Sequence, residues 1–495
     1  MRKLIPEALA RRPGSPAADP DGSGPAGAGR RFGPVLRGAL AALLLLGGTS
    51  AVRAQTLADA LVAGFESSGL IDQNRALLRA ADEDVAQAVA QLRPIINWTA
   101  SVARSYRYGE TATFFGPGPI DLTTTDTASL GLTAALVLYD GGERRLAIEA
   151  QKEVVLATRQ GLLSVEQQVL GRIVSAYTEV LRQSAFVGLR ENNVRLITQE
   201  LRAAQERFDV GEITRTDVAL AEARLASAQS QLAAEQGGLA RAQAEFAAAV
   251  GAAPRGLSAV PRAVIPATAA EARAIALRTH PALLQAQHEV AANEINVRRA
   301  EAGLSPTVQL RGQIAVDQDR TETASIGIEA SGPVYQGGAT AAAIRQSQAR
   351  RDAARANLLE TSRSIELDVA NAYANVEVAR ATRQAFEEQV RAAQTAFEGV
   401  REEAQLGART TLDVLDAEQD LLDARSSLVS AEIDETVATY QILAAMGLLT
   451  AQNLGLAVQL YDPSAYYDLV DDAPAAQSQQ GRALDRVLES IAADR

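Results

Sequence analysis

The chain is a tandem duplication, and this constrains its fold more than any other feature. Tyr139-Asp140-Gly141-Gly142 returns 196 residues later as Tyr335-Gln336-Gly337-Gly338. Gly211-Glu212-Ile213-Thr214-Arg215-Thr216-Asp217-Val218 returns at the same offset as Gly407-Ala408-Arg409-Thr410-Thr411-Leu412-Asp413-Val414. Ala249-Val250-Gly251 returns as Ala445-Met446-Gly447. Three markers with one offset leave no net gap between the copies, so the architecture is two versions of one unit.

Each copy reads as a short helix, a strand pair, a very long helix, a glycine turn and a second helix. The first repeat covers 55–251, with strands over about 96–138, a long helix over about 142–208 and a second helix over about 212–250. The second covers 269–460, with strands over about 307–334 and helices over about 338–404 and 408–446. Residues 252–268 carry Pro254, Pro261 and Pro266 and read as the linker, and 461–495 as a polar tail without legible chemistry.

The strands alternate. Val308, Leu310, Gly312, Ile314 and Val316 are interleaved with Thr307, Gln309, Arg311, Gln313 and Ala315, and Ala324, Ile326, Ile328 and Ala330 repeat the pattern after a polar turn. About ten residues per strand suits a tilted membrane-crossing strand. In the first repeat, Ile96–Tyr108 and Asp126–Leu138 take these parts, joined by an expected outer loop around Phe114-Phe115-Gly116-Pro117. A barrel needs roughly eight strands, and an open edge in lipid leaves backbone groups unpaired. Four strands in a membrane must therefore be pooled among several copies.

No proline interrupts 142–208, a stretch of about 100 Å as a helix. Along the second helices large and small residues alternate at coiled-coil spacing, as in Val218, Ala221, Leu225, Ala228 and Leu232. Aromatic content is only 4 %, and alanine supplies much of the apolar set, which favours long, closely packed helices. The N-terminus reads as an export signal over 1–54: Arg30, Arg31 and Arg37 precede a short apolar run, and Val52-Arg53-Ala54 forms a cleavage site. Without that segment the formal charge falls from −12 to about −17, which argues against nucleic acid as a partner. There is no cysteine for a thiolate metal site or a lipid anchor.

These markers resemble the TolC family of outer-membrane efflux and secretion channels. The resemblance rests on the paired Tyr-x-Gly-Gly segments, the paired Gly-x-x-Thr-x-x-Asp-Val turns and the short helix at Pro281-Ala282-Leu283, and it covers about 56–460. It implies a mainly α chain with a β-barrel portion. Three copies would form a long α-helical barrel and a 12-stranded β-barrel in the outer membrane, extending into the periplasm. It implies no cofactor. The partners would be a periplasmic adaptor (membrane fusion protein), an inner-membrane ABC or RND transporter, and outer-membrane lipid. Asn74-Arg75 departs from the family's Asn-Pro, and Ala404 stands where the family has a tip tyrosine.

The resemblance also assigns the glycine turns to the periplasmic tip. Gly211 and Gly407 are expected to be left-handed helix ends. Asp413 and Asp416 lie three apart, on one helical face, and match carboxylates of the family's pore constriction. In three copies such a ring would attract cations and raise its own apparent pKa values. Thr410-x-x-Asp413 and Thr214-x-x-Asp217 also fit capping boxes, which would make those aspartates structural. Arg409 matches an arginine of the closed tip, with Asp217 as its partner in a tip lock. His280 and His288 read as structural. No nucleophile–base set, metal spacing or phosphate loop marks an enzyme. The function expected is a passive outer-membrane exit duct of a tripartite export system. The alternative is a soluble periplasmic coiled-coil adaptor or scaffold, which leaves the duplicated strand pairs unexplained.

Overall fold

A computed structural model describes residues 54–114 and 116–493. The export segment expected at 1–54 lies outside them apart from Ala54. Two helices open the first repeat, α1 (Leu57–Glu66) and α2 (Gly69–Ala90). The strands β1 (Ile95–Thr113) and β2 (Gly116–Tyr139) follow, then α3 (Glu143–Asp209) and α4 (Arg215–Val250). The second repeat runs α5 (Ala269–Thr279), α6 (Pro281–Ala302), β3 (Thr307–Asp317), β4 (Glu322–Ser331), α7 (Ala339–Gln405) and α8 (Thr411–Ala445). Two helices, α9 (Pro463–Val470) and α10 (Gln479–Ala493), occupy the C-terminal tail.

Helix starts follow from local chemistry. Thr56, Thr214 and Thr410 each accept a bond from the backbone N–H three residues on, and the aspartate there accepts one from the threonine N–H. The long helices α3 and α7 are each 67 residues, about 100 Å, and each starts after a left-handed glycine, Gly142 (φ 87) and Gly338 (φ 89). Near the sheet α6 lies between α3 and α7; farther away α8 takes that place.

The main core sits midway along α3, where Tyr177 and Phe246 are fully buried with Leu57, Leu61 and Ile173. A second cluster holds Val369, Val376, Ile442 and Met446. The linker is strapped over both. The Tyr440 hydroxyl donates to the Pro261 carbonyl (3.2 Å), that of Tyr373 to Pro266 (2.8 Å), and the Ala263 N–H to Thr439 Oγ1 (3.1 Å). Gly447, at φ 76, closes α8 against the start of α6. A Cβ there would meet His280 Cα at 2.7 Å, so only glycine fits.

The sheet is antiparallel in the order β1-β2-β3-β4, with two outer edges that no strand among the described residues covers. Its registers sort the faces. Trp98 faces Leu132, Leu132 faces Ile314 and Ile314 faces Ala324; Asn97, Thr133, Gln313 and Ser325 form the next row, on the opposite face. The β3–β4 turn bends at Arg320 (φ 59), with Asp317 Oδ1 accepting from the Asp319 and Thr321 N–H groups.

One expectation is corrected. The outer loop expected after Tyr108 is largely strand: β1 and β2 stay paired through Tyr106 with Thr124 and Tyr108 with Leu122, up to Thr113 with Gly116. The run Leu122–Thr127, rich in β-branched threonine, sustains the ladder. The tail is anchored. Tyr466 and Val470 pack on Ala86, the Tyr466 hydroxyl donates to Glu83 (2.7 Å), and Arg93 binds the backbone of Asp472 and Ala473. Asp462 caps α9 with Pro463 at its first position, a start signal present in the sequence.

Candidate functional site at the sheet and the helical tips

The sheet and the two helical turns lie at opposite ends of the long helices. On the sheet's apolar face, Trp98 is 72 % exposed and Ile326 81 %, so nothing among the described residues covers it. Apolar residues on β3 run from Val308 to Val316, about 27 Å along the strand, which suits the ~25 Å apolar band of an outer-membrane barrel after tilting. The other face carries Asn97, Thr133, Gln309, Gln313 and Glu329, with Gln309 donating to Glu329 (3.3 Å). Lipid on one side and water on the other is what this division permits. Among the described residues no helix is long and apolar enough to cross a membrane.

At the far end, α3 turns into α4 through Gly211 (φ 80), and α7 into α8 through Gly407 (φ 77). In both turns the residue after the glycine donates its N–H five residues back, Glu212 to Arg207 and Ala408 to Glu403, each at 2.9 Å. This left-handed closure satisfies the last helical carbonyls. Just before each glycine stands an exposed apolar residue, Val210 at 72 % and Leu406 at 85 %. Their positions are 196 apart, so the duplication is the signal in the sequence that marks the pair.

The carboxylates divide by task. Asp413 Oδ2 accepts from the Thr410 N–H (2.9 Å) and hydroxyl (2.8 Å), and Asp217 does the same with Thr214 (2.9 and 2.8 Å). The backbone N–H, then the hydroxyl, holds each carboxyl below the usual aspartate range; Arg409 adds a smaller push on Asp413. Within one chain Asp413 is thus shifted opposite to the rise expected of a crowded ring. Asp416 makes no cap. Its Oδ1 accepts from Arg224 on α4 at 2.6 Å, an ion pair joining the two repeats. Arg409 donates to Glu403 at 2.8 Å within its own turn, and its bond here is to that residue rather than to Asp217. His280 Nδ1 accepts from the Ala282 N–H (3.2 Å) to cap α6, and His288 pairs with Glu153 (2.8 Å).

Two buried carboxylates had no place in the expected site. Glu435, 2 % exposed on α8, is met by Arg262 (2.7 Å), Arg383 (2.8 Å) and Arg380 (3.4 Å). Glu418, five residues past Asp413, is also buried and bonded to Asn193 on α3. Glu435 was visible in the sequence as a charge on an apolar seam; its three arginines were not.

A sheet with one lipid-suited face and two open edges, set on ~100 Å helices, defines a subunit of an outer-membrane channel. Residues 66–252 and 273–448 match the family model described as outer membrane efflux protein, one segment for each repeat. The chain belongs to that family, which is one of transport channels rather than enzymes. It is 36 % identical over 445 residues to the outer membrane efflux protein BepC of Brucella suis, covering 88 % of this chain and 95 % of that one. To the alkaline protease secretion protein AprF of Pseudomonas aeruginosa it is 28 % identical over 344 residues, covering 66 % and 71 %. The crystal structure of VceC from Vibrio cholerae shares the fold with a TM-score of 0.67 at 20 % identity, over 79 % of this chain and 96 % of that one. The protein is therefore an outer-membrane export channel of the TolC type, reaching into the periplasm.

Proposed function

We propose that three copies of this chain form one passive exit duct for a tripartite export system. The observation that carries this reading is the four-stranded sheet with both edges open. Edge β4 of one subunit can pair with edge β1 of the next, and three copies then close twelve strands. The polar face lines the bore and the apolar face meets lipid.

The tips are the gate and the docking end. Asp413 and Asp416 form the constriction ring, with Asp413 also serving as a helix cap. Arg409 and Asp217 lock the closed tip across subunits, where Arg409 exchanges Glu403 for a neighbour's Asp217. Gly211 and Gly407 hold the turns rigid, and Val210 and Leu406 offer six apolar knobs to the periplasmic adaptor, which links the duct to an ABC or RND transporter. The cargo is a secreted protein, small molecules or both, since the names of the relatives include protease secretion and efflux.

Purified protein in planar bilayers tests the duct. Heat-modifiable trimers from outer membranes and stepwise conductance are expected. Release by osmotic shock as a monomer without conductance would favour the adaptor or scaffold reading. Deletion followed by drug susceptibility and secretome profiling decides the cargo.

A further inference from the structure

The joint between the two repeats holds a carboxyl–amide pair that is incomplete as an ionised pair. Glu418 on α8 is 6 % exposed and Asn193 on α3 is 5 % exposed. Asn193 Nδ2 donates to Glu418 Oε1 at 2.7 Å. The remaining oxygens of the same two groups, Glu418 Oε2 and Asn193 Oδ1, are both shielded from solvent, and neither has a hydrogen-bond partner among the described residues. Two leftover acceptors in one pair lack one thing, a hydrogen between them. A proton on Oε2 would donate to Oδ1 and close a ring of two parallel bonds, satisfying both atoms at once.

We propose that Glu418 is a proton-operated latch between the two halves of each subunit, closed by a carboxylic acid–amide ring with Asn193 and released when the carboxyl ionises. The proton is exchanged with water, and no other reactant is needed. Release leaves a buried carboxylate with a single donor, which is costly, so the helices must part or admit water. The inference rests on the gated-duct reading above, and it concerns regulation of that gate.

The surroundings support a proton at this place. Burial pushes the Glu418 carboxyl up to about 7; the Asn193 bond opposes this and Glu200 of α3 adds to it. Arg190 lies one turn from Asn193 on α3. From α4 the charged group is Arg224, which is engaged by Asp416 of α8 at 2.6 Å. From α7, Phe397 and Val400 pack against the neighbouring Ala417 and Leu421 and bring no charge. Position matters as much as protonation. The pair lies in the α3–α8 contact, and α8 is the tip-side helix through which the second repeat touches the first. Asp416 is two residues away, so motion here reaches the constriction.

The sign is fixed by the direction of the shift. A carboxyl whose folded pKa lies above its ordinary value is held by the fold in its protonated form. The latch is complete at low pH and lost as pH rises through about 7. Full-length trimers in detergent and in planar bilayers provide the test, over pH 5.5 to 8.5. Infrared titration should find a carboxyl that ionises near neutrality in wild type and is missing from Glu418→Gln, whose amide keeps the ring without a titrating proton. Open probability of wild type should rise several-fold across the same range, and Glu418→Gln should stay at the low-pH level throughout. Asn193→Asp sets a second carboxyl against the first and should move the midpoint upward, which keeps the idea testable if Glu418→Gln fails to assemble. A wild type with no such carboxyl, or a Glu418→Gln channel as pH-sensitive as wild type, would overturn the latch. Complete absence of conductance would refute the duct instead, with the infrared titration still judging the proton.

Discussion

The two repeats share a backbone but not a chemistry. Helices α3 and α7 have the same length, and their turns close with the same glycine geometry. At several positions 196 residues apart the second copy carries a charge where the first is apolar, among them Val187 and Arg383, Leu220 and Asp416, and Leu239 and Glu435. Two of these charges meet each other, Arg383 donating to Glu435 at 2.8 Å, and the third binds Arg224 of the first repeat. The first hairpin of helices is held by apolar packing, as Leu239 against the Tyr177 cluster shows. The second is held partly by a buried anion surrounded by arginines. A duplicated fold can thus keep one shape while one copy takes on charged contacts. The strand pairs differ as well, with 19 and 24 residues in the first and 11 and 10 in the second.

Breaking the charged contact should have the largest effect on stability. Glu435→Ala leaves three arginines around an empty site and should cost about 3 kcal/mol, read by chemical denaturation in detergent. Restoring the first repeat's pair with Arg383→Val and Glu435→Leu together should recover most of that loss. A double variant as weak as the single one would show that the repeats are not interchangeable here.

Asp82 on α2 sharpens the contrast between buried acids. It is fully buried, neither oxygen has a partner among the described residues, and burial pushes its carboxyl up to about 6 against the opposing effect of Arg159. The fold favours the protonated form, so its contribution is complete below about pH 4 and is lost as pH rises to about 6. Asp82→Asn should raise stability at pH 7.5 by about 1–2 kcal/mol and flatten the pH profile between those values.

The caps are where the repeats should behave alike. Thr214→Ala and Thr410→Ala should each cost about 1 kcal/mol in thermal or denaturant unfolding. Function should then separate them: neutralising Asp416 should weaken block by multivalent cations, whereas Leu220→Ala should leave block unchanged. Unaltered block in Asp416→Ala would remove that residue from the pore. The smallest stability effect belongs to Arg224→Ala, at most about 0.5 kcal/mol, because its ion pair is half exposed. For the tip, Arg409→Ala or Asp217→Ala should raise single-channel conductance; unchanged gating would reject the lock.

Legibility followed locality. The caps at Thr214 and Thr410, the left-handed turns at Gly211 and Gly407, and the alternating strands depend on residues within a few positions of one another, so spacing displayed them. Only the outer part of the β1–β2 ribbon, beyond Tyr108, reads as a loop, because Gly and Pro near its end mask a ladder that pairing across the strands sustains. The anchoring of Tyr466 on α2 involves Glu83, 383 residues earlier in the chain, and no local pattern carries that distance.

By itself the sequence determined the duplication, the element order, the two-faced strands and the need to pool them, because these follow from periodicity, chain length and the satisfaction of backbone groups. The tertiary structure alone decided which acids are partnered: Asp413 by its own cap, Asp416 by Arg224, Glu435 by three arginines, and Glu418 by one amide. A carboxyl's charge state and role depend on burial and on groups brought near by packing, and neither is a property of its neighbours in the chain.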